Sequence, residues 1–290
     1  MPAFGPYETP QELLRDELWR CWLSVETQVR YRWALGALPR EDASQGLLTT
    51  DTIAGVFRAA LGEYHGQSAI RGDDAGHAQV QAMYQHHSLL VDTRIGATLD
   101  AGIRLPFLEL CARFRLNRAQ RLTLSFALMP ELEHKLLVAY RYLSNDQSCR
   151  SLDARLLAML VYDTPEARAE MSRDLSPTSP LMMYRLLEQE EMHSYDSMLF
   201  RRLRPAARLV QPLAGDSSRL DPQLSDVAEL RGGEVHALFP EALVARCAAA
   251  LGSSEAMLVL QGVRGAGKRL LLQVAAARLG RQILLIHGGT

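Results

Sequence analysis

The sequence lacks several features that would assign it to a membrane, a secreted scaffold or a metal-binding class. Only four cysteines occur in 290 residues, far apart and without a Cys-x-x-Cys pair, which argues against a zinc ribbon and a disulfide framework. No apolar run approaches the roughly 18 residues that a membrane-spanning helix needs. The opening residues do not have a signal-peptide pattern. We therefore expect no membrane partner and a cytoplasmic location.

An excess of charge of either sign is also missing. The chain has 32 basic and 33 acidic residues, a net charge of −1, whereas a protein covered by nucleic acid would be strongly basic. The densest basic patch is Arg201, Arg202, Arg204 and Arg208, which we place on short strands around a turn at Pro205. A patch on a hairpin would suit nucleic-acid phosphates. We favour a solvated face paired with nearby acids, and thus no nucleic-acid partner.

Helix signals are abundant through the first two thirds of the chain. Thr9, Pro10 and Glu12 form the N-terminal cap of a long helix whose apolar residues recur every three or four positions up to Gly36. The other predicted helices cover residues 51–61, 78–99, 106–114, 152–161, 222–230 and 240–251, with further helices beginning after Asn117, Ser179 and Thr164 and at Pro130.

Two polar clusters are assigned to the surface rather than to chemistry. His86 and His87 point about 100° apart on a helix, so they do not suit one metal ion. The run Glu188–Glu191 is interpreted as the solvated end of a helix, because nothing in the sequence places its carboxylates in a cleft. We therefore predict no metal site and no catalytic residue within this chain.

The strongest motif is a glycine-rich loop, Gly262-Val-Arg-Gly-Ala-Gly-Lys-Arg269. It fits the phosphate-loop pattern Gly-x-x-x-x-Gly-Lys-[Ser/Thr] at every fixed position except the last. Glycines tolerate positive backbone angles that turn N–H groups toward a phosphate, and a helix N-terminus favours an anion. We predict that the loop binds ATP, with Lys268 reaching the outer phosphates. The predicted nucleotide-binding residues are Gly262, Val263, Arg264, Gly265, Ala266, Gly267, Lys268 and Arg269.

The last position of the motif restricts the chemistry. A Ser or Thr hydroxyl there normally holds Mg²⁺, whereas the guanidinium of Arg269 cannot ligate a metal. Backbone amides and Lys268 would still bind ATP, but we predict no ATP turnover by this chain alone. A strand-to-helix turn that has kept its shape and lost its ligand is the alternative interpretation.

The residues around the loop predict a parallel βαβ unit. Strands are expected at Met257–Gln261 and at Gln282–His287, the second one buried, with a helix over Leu270–Leu279 between them. Two parallel strands do not form a stable sheet alone. We therefore expect the chain to be the first part of a longer protein that ends here inside an ATPase module.

The loop, after an alanine-rich helix and a linker, resembles the start of an AAA+ ATPase module, with three glycines and the lysine matching. Segments Gln45–Asp51, Leu105–Arg121 and Ala127–Glu133 resemble the N-terminal region of AAA+ ATPases that carry a variant winged-helix domain. That family is often found with phage-tail-like contractile injection systems. The resemblance implies an ATPase that forms a ring, a hexamer, and remodels or helps assemble a protein complex, with Gly262, Gly265, Gly267 and Lys268 on the phosphates.

The fold class that follows from this resemblance is mainly α, with a winged-helix-like domain of few short strands, followed by the start of an α/β P-loop NTPase. The implied domains are a helical domain at 1–103, a winged-helix-like domain at 104–230, a linker at 231–240 and a partial AAA+ module at 241–290. Two other functions remain open: a non-enzymatic adaptor with a vestigial loop, and a winged-helix regulator that binds nucleic acid.

Overall fold

The chain is mainly helical with few short strands, and it divides into two compact units, Met1–Asp216 and Ser217–Thr290. The computed structural model describes residues 5–38, 50–65, 76–190, 200–213, 226–232, 239–253 and 258–287. Residues 45–49 of the segment Gln45–Asp51 lie outside these ranges, as does Met257 of the predicted strand Met257–Gln261.

The first unit contains ten helices within the described ranges. They are α1 (Pro10–Ala34), α2 (Thr50–His65), α3 (His77–Asp100), α4 (Pro106–Arg113), α5 (Arg118–Leu132), α6 (Lys135–Ser144), α7 (Ala154–Leu160), α8 (Pro165–Asp174), α9 (Pro180–Met183) and α10 (Ala207–Leu213). Predicted caps are present at α5 and α8: Asn117 and Gln120 form a reciprocal capping box at α5, and Thr164 Oγ1 accepts from the Ala167 N–H at α8, whereas Ser179 precedes α9 without a side-chain cap hydrogen bond.

Helix α1 is the centre of the first unit. Thr9 Oγ1 accepts from the Glu12 N–H at 3.3 Å, while the Glu12 carboxylate accepts from the Glu8 N–H rather than from Thr9. Helices α2, α3, α5, α6 and α7 pack around α1, so that its middle is buried on nearly all sides. The predicted apolar stripe includes the buried Trp22 and Val25, but the opposite face is buried as well.

Charged residues on that second buried face form a network with α3 and α5. Arg20 and Glu17 are fully buried and paired with each other, and Ser125 Oγ donates to Glu17 at 2.9 Å. Arg20 Nη1 also donates to Asp92 Oδ1 at 3.1 Å, and Asp92 accepts from Arg121 as well. These ion pairs allow α1 to be buried all round although half of its residues are polar.

A small antiparallel sheet packs against α5, α7 and α9. Its strands are β1 (Leu152–Asp153), β2 (Leu187–Gln189) and β3 (Arg202–Pro205), in the order β1-β3-β2. Residues 161–164 join α7 to α8, a four-residue turn typical of a helix-turn-helix.

Three expectations for the first unit are wrong. Pro130 lies inside the last turn of α5 and begins no helix, because the buried run from Leu122 onward continues through it. Glu188 lies in β2 rather than at a helix end. The chain after Pro205 forms helix α10 and not a second strand, so the basic patch is not a hairpin.

The second unit consists of helices α11 (Glu241–Gly252) and α12 (Lys268–Arg278) and strands β4 (Ala228–Arg231) and β5 (Ile283–Ile286). Its core joins Val244 and Cys247 of α11 to Leu271 and Ala275 of α12. Strands β4 and β5 pair antiparallel, with Ala228 opposite Ile286. Arg231, at the start of the predicted linker, is the last residue of β4.

The predicted βαβ unit is not formed by the described residues. Residues 258–261 make no strand, and β5 pairs antiparallel with β4 rather than parallel to a strand before the loop. Residues 222–225 of the predicted helix 222–230 lie outside the described ranges, and its last residues, from Ala228, belong to β4, where apolar and polar residues alternate. β5 is covered on one face only, since burial alternates along it and Ile286 is 71% exposed.

Candidate functional site

The glycine-rich loop has the backbone that its sequence predicts. Gly265 and Gly267 adopt positive φ angles of +85° and +75°, which side chains other than glycine rarely take. Gly267 is the N-cap of α12, and the helix begins at Lys268. The first backbone N–H groups of a helix have no partner within it, and the positive end of its dipole lies there. The loop therefore ends in a group of amides that suits a phosphate.

Lys268 folds back over the loop that precedes it. Its Nζ donates to the carbonyl oxygens of Gly262 and Val263, both at 2.8 Å. These bonds hold the ammonium group against the carbonyl oxygens at the beginning of the loop. Lys268 is one of only two lysines among the 32 basic residues, the other being Lys135. The loop thus has a compact ammonium group, whereas nearly all other basic residues of the chain are arginines.

An aromatic ring closes one side of the loop. A Cβ atom built on Gly267 would lie 3.2 Å from Cζ of Phe239, the residue that precedes α11 by two positions. Phe239 also packs against the core of the second unit. A side chain at position 267 is therefore disfavoured both by the positive φ angle and by this contact.

The remaining predicted side chains of the loop are exposed to solvent. Val263 is 79% exposed, and Arg264 and Ala266 are exposed as well, so these residues would act through their backbone groups. Arg269 is exposed at the position where the motif requires a hydroxyl. A guanidinium only donates hydrogen bonds, so the loop fits a phosphate and does not fit a magnesium ion held at this position.

One carboxylate lies near the start of α12. A hydrogen bond from Arg231 lowers the pKa of the exposed Glu229 in β4, and the positive charges of His287 and Arg269 contribute to the same shift. Among the described residues, no group of three or more His, Cys, Asp or Glu side chains is arranged to hold a metal. The cysteines are free and buried.

The basic patch near β3 is engaged within the first unit. Arg202 and Arg204 both pair with Glu190, at 3.4 and 2.7 Å. Arg208 Nη2 donates to the carbonyls of Tyr184 and Arg185 at 2.8 and 3.0 Å. The two ion pairs with Glu190 match the preferred interpretation of a face paired with nearby acids, whereas Arg208 binds backbone carbonyls.

Helix α8 forms a surface that the sequence analysis did not single out. It follows α7 after a four-residue turn, and in DNA-binding helix-turn-helix proteins the second helix of such a pair enters the major groove. Its exposed residues include Glu166 and Glu170 as well as Arg168 and Arg173. Thr164 and Pro165 signalled the helix, but its pairing with α7 required the tertiary structure.

Comparisons with known proteins give one match. A family model described as "Winged helix domain, variant" matches residues 1–228, most of the chain. No curated protein and no solved structure matches it. Among the described residues, no helix is both long enough and apolar enough to cross a membrane.

Proposed function

The chain belongs to the variant winged helix domain family, and on that premise we propose that it binds ATP through its glycine-rich loop as part of an AAA+ protein that remodels or helps assemble a protein complex. The observation that carries the proposal is that Lys268, the first residue of α12, folds back over the loop and bonds the carbonyls of Gly262 and Val263. Phosphate oxygens require a cation and several N–H donors that converge on one point.

Each part of the loop has a role in this proposal. Gly265 and Gly267 allow the backbone to turn its amides inward, and Lys268 reaches the outer phosphates after leaving its carbonyl partners. Mg²⁺ would normally accompany ATP, but Arg269 cannot ligate it, so this chain supplies charge rather than a metal ligand there. We expect binding without turnover for this chain alone.

The winged helix domain would then contact protein rather than nucleic acid. On the exposed surface of α8, Glu166 and Glu170 balance Arg168 and Arg173, so this helix offers a DNA groove no net positive charge. Arg202 and Arg204 share Glu190 and are not a free basic surface. A ring of copies, a hexamer, and a contractile injection system as the complex follow from the AAA+ resemblance and remain proposals.

Titration of the whole chain with a fluorescent ATP analogue tests the proposal. We expect saturable binding that weakens at least about tenfold in Lys268→Ala, because the cation closest to the phosphates is lost. Lys135→Ala removes the other lysine, which is exposed on α6, and should leave the affinity unchanged. Wild-type protein that does not bind would favour the adaptor with a vestigial loop.

The regulator alternative has its own measurement. If the family match reflects nucleic-acid binding, the whole chain will bind duplex DNA with an affinity that falls steeply with salt. We expect no such binding. DNA binding with a steep salt dependence would contradict the protein-docking function and support the nucleic-acid-binding regulator.

A further inference from the structure

A cleft of about 530 Å³ lies between α1, α6, α7 and α8 of the first unit. Its charged lining consists of Arg32, Arg155 and Arg168, and its remaining lining is made by two serines, two methionines and an alanine. We call it the arginine cleft. Three positive charges border it, and among the described residues no carboxylate lines it.

Two of the arginines are held in place by other groups. Arg32 Nη1 donates to the carbonyl of Leu143 at 2.8 Å, near the end of α6. Arg155 donates through Nε and Nη2 to Asp153, and through Nη2 to Asp146. Burial lowers the pKa of Arg155 while Asp153 and Asp146 raise it, with a net rise. Both side chains are therefore oriented at the edge of the cleft before any ligand arrives.

The third arginine has no such partner. The side chain of Arg168 on α8 is exposed, and it makes no hydrogen bond or ion pair with the described residues. Its guanidinium is thus the cation of the cleft that is left for a ligand. A guanidinium forms paired hydrogen bonds with a carboxylate, because the geometries of the two groups match.

The base of the cleft is apolar and adaptable. Met159 and Ala158 come from α7, and the 7% exposed Met171 comes from α8. Methionine side chains adjust to ligands of different shapes and favour apolar partners. A ligand for this cleft should therefore combine an acidic group with an apolar one.

We propose that the arginine cleft binds a peptide segment of a protein partner, in which an acidic side chain lies beside an apolar side chain. Complementary charge selects the acidic group through Arg168, and the methionines receive its apolar neighbour. A nucleic acid suits the cleft less well, because Glu166 and Glu170 on α8 would repel a long polyanion that extends beyond it.

Selection from a phage library of random twelve-residue peptides on the immobilised whole chain tests the proposal. The selected peptides should carry Asp or Glu next to Leu, Ile, Met or Phe. Synthetic copies should bind the wild type, and the charge reversal should weaken them at least about tenfold.

The matched control is Arg173→Glu, which makes the same change on an exposed arginine of α8 outside the cleft. We expect it to change the affinity less than about twofold. Both variants should keep the wild-type circular dichroism and thermal midpoint, since neither arginine is buried. Selection of no peptide, or peptides that bind wild type and Arg168→Glu equally, would overturn the proposal. Duplex DNA whose binding is lost only in Arg168→Glu would assign the cleft to nucleic acid instead.

Discussion

Arg20 of α1 and Asp92 of α3 are ion-paired inside the first unit, with Nη1 3.1 Å from Oδ1. The guanidinium of Arg20 has no exposed surface, so the carboxylates around it replace the water that a charged group requires. Asp92 also accepts from Arg118 at 2.8 Å and from Arg121 at 2.6 Å. One carboxylate thus connects α3 with α1 and α5.

We predict that Asp92→Asn lowers the free energy of unfolding by about 2–3 kcal/mol, because it leaves Arg20 buried with one carboxylate fewer. The loss should be smaller than for a fully buried pair, since the Asp92 side chain is 25% exposed. Asp100→Asn, at the exposed end of α3, is the control and should change stability by less than about 0.5 kcal/mol. Urea denaturation measures both, and equal stabilities would contradict the prediction.

Acid should act on the same carboxylate. Burial alone would raise the pKa of Asp92. The hydrogen bond from Arg118 and the charges of Arg20 and Arg121 lower it by more than burial raises it, so the net shift is downward from 3.8. A carboxyl whose pKa is lower in the folded state stabilises the fold above its unfolded pKa and loses this contribution as the pH falls through the folded value. Stability should therefore decrease below pH 4 by this contribution, and Asp92→Asn should lack it. Parallel pH dependences in denaturant titrations would refute this role.

Histidine 87 should give a separate effect at milder pH. Burial lowers its pKa below 6.5, and its contact with the Asp16 carbonyl at 2.8 Å only partly opposes this. The unfolded chain therefore takes up a proton before the folded chain does, so stability falls as the pH drops through 6.5 and levels off below the folded pKa. The slope should not exceed about 1.4 kcal/mol per pH unit.

The test of the histidine effect compares two neighbouring variants. His87→Gln keeps a donor for the carbonyl without titrating, and should remove most of the slope between pH 7 and 5. His86→Gln changes an exposed histidine and should keep it. A slope that survives in His87→Gln would show that other groups cause it.

We predict that Gly267→Ala weakens nucleotide binding and destabilises the loop by about 1–2 kcal/mol, because alanine is strained at a φ of +75°. Its Cβ would also lie 3.2 Å from Phe239. Gly252→Ala at the end of α11 is the control, since a Cβ there meets nothing within 4 Å. Affinity for the ATP analogue should fall only in Gly267→Ala. If Phe239→Ala restored the affinity of Gly267→Ala fully, crowding and not the backbone angle would be the cause.

The identity of Arg269 should appear in the dependence on metal. On the proposed function, the affinity for the ATP analogue should change little when EDTA replaces Mg²⁺, since no hydroxyl at this position holds the ion. Arg269→Thr supplies that hydroxyl and should make binding stronger with Mg²⁺ than with EDTA. Wild-type binding that is lost in EDTA would show that other residues hold the metal.

Local sequence determined the helices and the loop. Thr9, Asn117 and Thr164 each cap a helix through a backbone N–H three positions on, and the structure confirms all three. The positive φ angles of Gly265 and Gly267 follow equally from the residue type. Interactions of this kind join residues within about four positions of each other, so a short stretch of sequence is enough to predict them.

Tertiary structure alone decided which polar residues are buried and which strands pair. Arg20 has its local partner Glu17 three positions earlier, but the second carboxylate beside it, Asp92, lies 72 positions later, and an isolated helix would have left this arginine in water. β5 pairs with β4, which precedes both helices and the loop in the sequence. The local pattern had predicted a parallel neighbour instead. Pairing and burial depend on groups distant in sequence, because the free energy of removing a charge or a strand edge from water is set by whatever the fold places beside it.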